Sequence, residues 1–213
     1  EVFYGRTWDE FLSLCDLLGA YFDLNENKRL ITYVHNLGYE FQFMRKFFNW
    51  YGVFSINERK PIKALCDIGI EFRCSYILSG YSLASLAKNL TTHKVKKMEG
   101  DLDYELIRHH ETELTEKEWG YCENDIAVVN AYINEQIAQY KSIAKIPLTN
   151  TGRVREYVKN QCYRILDADG KPEKTPEAKR KYFKYRKLIQ DLTITVEEYE
   201  RLKRAFMGGF THS

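Results

Sequence analysis

Two short stretches hold the residues best suited to chemistry. Tyr121-Cys-Glu-Asn-Asp125 sets a phenol and a carboxylate four residues apart. On a helix such a pair shares one face, so both groups point into the same space. The carboxylate can hold a hard cation such as Mg²⁺ through oxygen, and the phenol can orient a water on that cation. The second stretch is Tyr33-Val-His35-Asn36-Leu-Gly38-Tyr39-Glu40. It begins as the end of a strand and runs into a helix, which aims Glu40 out of the C-terminal edge of a sheet. Open α/β sheets place their ligands there. Plainer readings stand beside both. A Tyr–Asp pair is common on exposed helix faces, and Asn36 also reads as a helix cap with Glu40 in the first turn.

The elements that must position these groups are legible in outline. Thr7-Trp-Asp-Glu10 is a capping box opening a helix to about Phe22, with Phe11, Leu14, Leu17 and Leu18 as its buried stripe. A strand is predicted at 29–34 and a helix from about 40 to 50. Residues 62–78 read as a hairpin, Ile62 to Cys66 and Ile70 to Leu78, turning at Asp67-Ile-Gly69. A short helix covers Ser82 to Leu90, and a polar loop covers Thr91 to Glu111. Thr115-Glu-Lys-Glu118 is a second capping box, opening a long helix to about Tyr140. From about 150 the chain turns basic and helical: Arg153 to Leu166, a turn at Ala168–Pro172, Pro176 to Gln190, and a last helix capped by Thr195 and ended by Gly208-Gly209. A mixed α/β core over 1–150 and a smaller helical unit over 151–213 are predicted.

Composition sets limits. The 213 residues are 44% hydrophobic and 29% charged, which suits a folded protein rather than a disordered one. No apolar run is long enough to span a bilayer, and the first residues lack the pattern of a signal peptide. Five cysteines with no C-x-x-C pair argue against a zinc site and suggest reduced thiols in a cytoplasm. The net charge of +2 hides an asymmetry. Residues 1–152 hold 17 Lys and Arg against 21 Asp and Glu, and residues 153–213 hold 15 against 9. An acidic body with a basic tail fits a metal–carboxylate site beside a track for polyanions.

Taken in order, the two stretches resemble the second and third exonuclease motifs of family B DNA polymerases, most like the phage, protein-primed type. The motifs are Asn36-x-x-Tyr39-Glu40 and Tyr121-x-x-x-Asp125. Tyr33-x-His35-Asn36-Leu37 matches that subgroup's second motif. Gly100-Asp101-Leu-Asp103-Tyr104 resembles its Gly-Asp-x-Asp-Tyr stretch. Ser75 falls where the family has a Ser/Thr-Leu motif that contacts single-stranded DNA, with Tyr76 in place of Leu. Phe206-Met-Gly208-Gly209-Phe210 resembles the Tyr-x-Gly-Gly segment before the polymerase domain. The likeness runs from Thr7 to Thr211.

The resemblance implies an RNase H-like exonuclease core of the DEDDy kind with a C-terminal helical extension. It implies two Mg²⁺ or Mn²⁺ ions held by four carboxylates that hydrolyse a phosphodiester at a single-stranded DNA 3′ end. Glu40 and Asp125 are then two metal ligands, and Tyr121 orients the water. Asn36 and Tyr39 hold the frayed 3′ end, joined by Ser75 and Lys97, while His35 braces the loop. Two departures stand out. Glu40 replaces the family's Asp, so a metal must sit slightly further away or the loop must retreat. The first motif, an Asp-x-Glu on the first strand, has no match: Asp103-Tyr-Glu105 lies too late in the chain. The family's lysine before Gly-Asp is displaced, with Glu99 in its place and Lys96 and Lys97 nearby. The chain is expected to start about two strands into the domain and to stop before the palm. Its implied partners are the rest of a polymerase or another replication protein, and its setting is phage, prophage or plasmid replication in a bacterial cytoplasm.

Lys179–Lys187, KRKYFKYRK, carries six cations among nine residues. Cations neutralise phosphates and aromatics offer stacking platforms, so Tyr182 and Tyr185, with Gly208 and Gly209, are candidate DNA contacts. Equally, this is a solvated amphipathic helix whose aromatics pack inward.

Overall fold

A computed structural model describes residues 1–98 and 105–208. The chain forms two compact units, Glu1–Arg153 and Val154 onward. The first unit opens on the Thr7 capping box. Thr7 Oγ1 accepts from the Glu10 N–H, and the Glu10 carboxylate accepts from the Thr7 N–H. Helix α1 (Trp8–Tyr21) follows. Its buried residue is Cys15, flanked by Phe11 and Leu12, while Leu17 is 62% exposed. The predicted stripe is thus corrected: a 3.6-residue period lines Cys15 up with Phe11 and turns Leu17 to solvent.

Strand β1 (Leu30–Val34) leads directly into α2 (Leu37–Met44). The helix predicted to run to about residue 50 ends six residues earlier. Trp50 instead opens a strand that the sequence reading missed, β2 (Trp50–Ser55). Its Trp, Tyr, Val and Phe suit a pleated surface, and it pairs antiparallel with β3 (Pro61–Cys66). The hairpin to β4 (Ile70–Cys74) turns at Gly69, as predicted, with φ +94°. A Cβ there would lie 2.7 Å from the Asn25 backbone nitrogen, so the turn requires glycine. The second strand ends at Cys74 rather than Leu78. Residues Ser75–Ser79 form a short helix, α3, closed by Gly80 at φ +75°.

The sheet order is β1-β4-β3-β2, with β1 parallel to β4 and the other pairs antiparallel. The architecture is α/β, a mixed sheet flanked by helices with a helical C-terminal part. Side chains alternate along β4. Ile70, Phe72 and Cys74 join Cys15, Leu37, Met44 and Phe48 in one core cluster. The alternate pair, Glu71 and Arg73, is buried and charged. Glu71 accepts from Arg73 Nε at 2.7 Å and from Arg29 Nη1 at 3.0 Å. Arg73 also donates to the Ile143 carbonyl. Burial works to raise the Glu71 carboxyl, but the two arginines outweigh it and hold it below the usual carboxylate range.

Helix α4 (Leu83–Asn89), capped by Ser82, packs with α5 (Glu116–Tyr140), which opens on the Thr115 capping box. Leu78, Leu86, Leu90, Val128 and Ile133 are members of a second core cluster. Helix α6 (Asn150–Cys162) follows. In the second unit, α7 (Pro176–Gln190) and α8 (Val196–Gly208) have the predicted starts, capped by Thr175 and Thr195. No described helix is long and apolar enough to cross a membrane. The cysteines are free thiols; Cys15, Cys66 and Cys74 are buried.

Candidate functional site

The strand-to-helix junction is built around a left-handed residue. Asn36 sits at φ 60°, ψ 53°, a conformation asparagine tolerates better than most residues. It occupies the N-cap position of α2, yet its side chain makes no capping hydrogen bond, which corrects the plainer reading of Asn36 as a cap. The exposed amide is therefore available to a ligand. Gly38 permits the tight fit that follows: a Cβ there would lie 3.0 Å from the Arg59 carbonyl oxygen. Tyr39 is 61% exposed and leans edge-on against Phe43. Glu40, in the first turn, also reaches solvent, but the surrounding groups desolvate its carboxyl and push it above the usual range.

His35 and Ser75 form the brace beneath this turn. His35 Nδ1 lies 3.0 Å from Ser75 Oγ, and Ser75 Oγ donates to the Val34 carbonyl at 3.3 Å. With the hydroxyl proton directed at Val34, Nδ1–H donates to Ser75 and Nε2 is left as an acceptor; with that proton directed at Nδ1 the roles reverse. Burial pushes the His35 imidazole below its usual value, against the pull of Asp125. Ser75 is fully buried. Ser75, expected to contact DNA, ties β1 to α3 through its hydroxyl and holds the His35 ring.

Tyr121 and Asp125 stand one turn apart on α5. Lys97 meets both. Its Nζ lies 2.5 Å from Asp125 Oδ1 and 3.9 Å from the centre of the Tyr121 ring. Burial works against the ammonium, but Asp125 and Tyr121 outweigh it and raise its pKa. Lys97 was expected to contact nucleic acid. Its side chain is 13% exposed and pairs with Asp125. Asn124, which the sequence reading did not single out, sets this position. Its amide accepts from the Met98 N–H at 2.7 Å and donates to the Lys96 carbonyl at 2.9 Å, clamping the lysine's backbone from both sides. The visible signal was an amide beside the Asp of the motif; its partner, 26 residues upstream, was not visible.

Glu40, His35 and Asp125 line one cleft of about 1090 Å³, walled by Tyr33, Ile126 and Val129 among others. The cleft also runs along β1, the edge strand of the sheet. Two carboxylates offer hard oxygen ligands suited to Mg²⁺ or Mn²⁺. Among the described residues no three His, Cys, Asp or Glu side chains gather into a metal-binding group. Glu99 and the Gly100–Tyr104 stretch lie outside the described residues, as do Gly209 and Phe210.

In the second unit Tyr185 stacks on Tyr163 at 4.8 Å, and Tyr182 tilts against the same ring at 5.5 Å. Tyr185 is half-buried and Tyr182 is 40% exposed, while Phe183 is 61% exposed. Gly208 is the last residue of α8.

No protein-family model matches the sequence. No curated protein matches it either. Solved structures do match in backbone. The fold is similar to part of phi29 DNA polymerase. Against that polymerase complexed with primer-template DNA and incoming nucleotide substrates, the TM-score is 0.56 at 16% identity over 72% of this chain. Against phi29 DNA polymerase complexed with single-stranded DNA, it is 0.51 at 17% identity over 73%. The matched region spans 28% and 29% of the phi29 chains. At such identity the likeness speaks for the fold alone.

Proposed function

We propose that the chain is the 3′–5′ exonuclease (proofreading) portion of a family B DNA polymerase, acting on single-stranded DNA 3′ ends. The observation that carries this reading is the shared cleft of Glu40 and Asp125 at the C-terminal end of β1. Each carboxylate comes from a motif in the expected order. On this reading residues 1–150 are an RNase H-like domain and 151–213 a basic segment leading toward a polymerase palm. Glu40 and Asp125 hold a Mg²⁺ or Mn²⁺ ion, and Tyr121 positions the attacking water. Asn36 bonds and Tyr39 stacks on the terminal nucleotide. The exposure of both side chains supports those roles, as does the fold shared with a polymerase that has been seen with single-stranded DNA. The setting is a bacterial cytoplasm during phage, prophage or plasmid replication.

Two-metal hydrolysis draws on four carboxylates. The described residues contribute two from the expected motifs. The edge of β1 opposite β4 offers unpaired backbone groups for one more strand, which would bring Asp-x-Glu carboxylates beside Glu40. That edge favours a second reading, a subunit or fragment that binds DNA or a replication partner without cleaving. A 5′-labelled single-stranded oligonucleotide incubated with Mg²⁺ or Mn²⁺ separates the two. Stepwise 3′ shortening that disappears in Asp125→Ala supports hydrolysis by this chain. Bound but intact DNA favours the second reading, and no DNA binding at all defeats both.

A further inference from the structure

The sheet has a second open edge. Among the described residues β2 pairs with β3 alone, so it borders the sheet on the side opposite β1. An edge strand presents backbone N–H and C=O groups with no strand beside them, and folded proteins guard such edges with charge or proline. Trp50–Ile56 reads WYGVFSI and holds neither. Tyr51, Val53, Phe54 and Ile56 are all exposed. None of these residues lines the carboxylate cleft, so the edge is independent of the reading proposed above.

The middle of β2 is complementary to itself. Two bulges interrupt the strand, one between Trp50 and Gly52 and one between Phe54 and Ser55. They bend it at both ends and confine regular pairing to the stretch between them. There Gly52, Val53 and Phe54 lie opposite Leu65, Ala64 and Lys63. Gly52 and Phe54 therefore share one face of the sheet, and Val53 lies on the other. A Cβ on Gly52 would meet nothing within 4 Å, so the space over it is open. Phe54, two residues on, presents a ring that is 53% exposed. An aromatic side chain from a neighbouring strand stabilises a glycine at a sheet edge by covering it.

We propose that β2 pairs antiparallel with β2 of a second copy of this chain, about a two-fold axis at Val53. In that register the two Val53 side chains face each other. Each Phe54 lies opposite the other copy's Gly52, so one ring covers each glycine. The stretch carries no charge, so no like charges meet across the axis. The contact is isologous, which closes the assembly at two copies and doubles the four-stranded sheet. The contact is also short, so the dimer is weak and depends on concentration.

Sedimentation velocity of the whole chain over a concentration series tests this. A monomer–dimer equilibrium with no larger species is expected. Val53→Lys sets two like charges on the axis and should weaken dimerisation about tenfold or more. Val53 is 42% exposed, so the lysine can keep its ammonium in water in the monomer. Gly52→Thr tests the register. Gly52 needs no positive φ, a Cβ meets nothing there, and threonine suits a strand, so this variant should melt no lower than wild type. It fills the seat of Phe54 and should still weaken the dimer about tenfold. A wild-type chain that stays monomeric throughout would overturn the proposal and leave the edge to a different partner. So would open-ended growth, which marks pairing of β2 with another edge such as β1. A dimer that either substitution leaves unchanged or strengthens would also overturn it.

Discussion

Lys97 and Asp125, which lines the carboxylate cleft, form an ion pair of 2.5 Å, although they lie 28 positions apart in sequence. On the proposed reading, the ammonium pairs with an oxygen that Asp125 would offer to a divalent cation. It also lies over the Tyr121 ring, so one lysine organises both residues of the Tyr-x-x-x-Asp motif.

That competition has a measurable consequence. Lys97→Met should raise Mn²⁺ affinity about fivefold, ~1 kcal/mol, by removing a positive charge from Asp125. Calorimetric titration with Mn²⁺ reads it directly. Unchanged affinity would mean that the lysine does not contend with the metal.

Glu71 and Arg73, buried on β4, and the exposed Arg29, which precedes β1, form one charged cluster linking the two strands. Glu71→Gln leaves Arg73 without a charged partner in the interior and should cost about 3 kcal/mol of stability. The same carboxylate gives a pH dependence. Its folded pKa lies below the unfolded value, so its contribution is complete above about pH 4.3 and fades as pH falls through the folded value. Glu118 is held down to about 2 by the Thr115 backbone and Arg108, and acts in the same direction. Melting temperature should therefore fall on acidification below about pH 4.3, less steeply in Glu71→Gln. A melting temperature constant from pH 5 to pH 3 would contradict this.

The aromatic residues of KRKYFKYRK divide by environment. Tyr185→Ala removes a ring stacked on Tyr163 and should destabilise the second unit by about 2 kcal/mol. Phe183→Ala should change stability by no more than about 0.5 kcal/mol. If α7 contacts DNA, the same change should weaken single-stranded DNA binding several-fold, ~1 kcal/mol, through the lost stacking face. Thermal melts and fluorescence anisotropy on both variants decide it. The reverse pattern would make Phe183 the packing residue.

Features written in local chemistry were legible in the sequence. Thr7, Thr115 and Thr195 cap their helices, and Gly69 makes its turn, because each depends on neighbours within a few residues. Strand β2 was hidden because Phe47, Phe48 and Trp50 continue the apolar pattern of α2; only pairing with β3 makes Trp50 extended. In the site, the order of Asn36, Glu40, Tyr121 and Asp125 was readable. The place of Lys97 was not, since Asn124 fixes it through contacts between distant segments. Ser75 was read as a DNA contact from its place in the family's Ser/Thr-Leu motif, and nothing local in the sequence signals its burial. Its hydrogen bonds with His35 and Val34 exist only once β1 and β4 are paired.

The central claim is that Glu40 and Asp125 hold one divalent cation between them. Mn²⁺ titration followed by electron paramagnetic resonance, on wild type, Glu40→Gln and Asp125→Asn, tests it most directly. A single bound ion per chain, lost or strongly weakened in each variant alone, is the predicted result. Binding that survives both substitutions, or that depends on only one of the two carboxylates, would contradict the account.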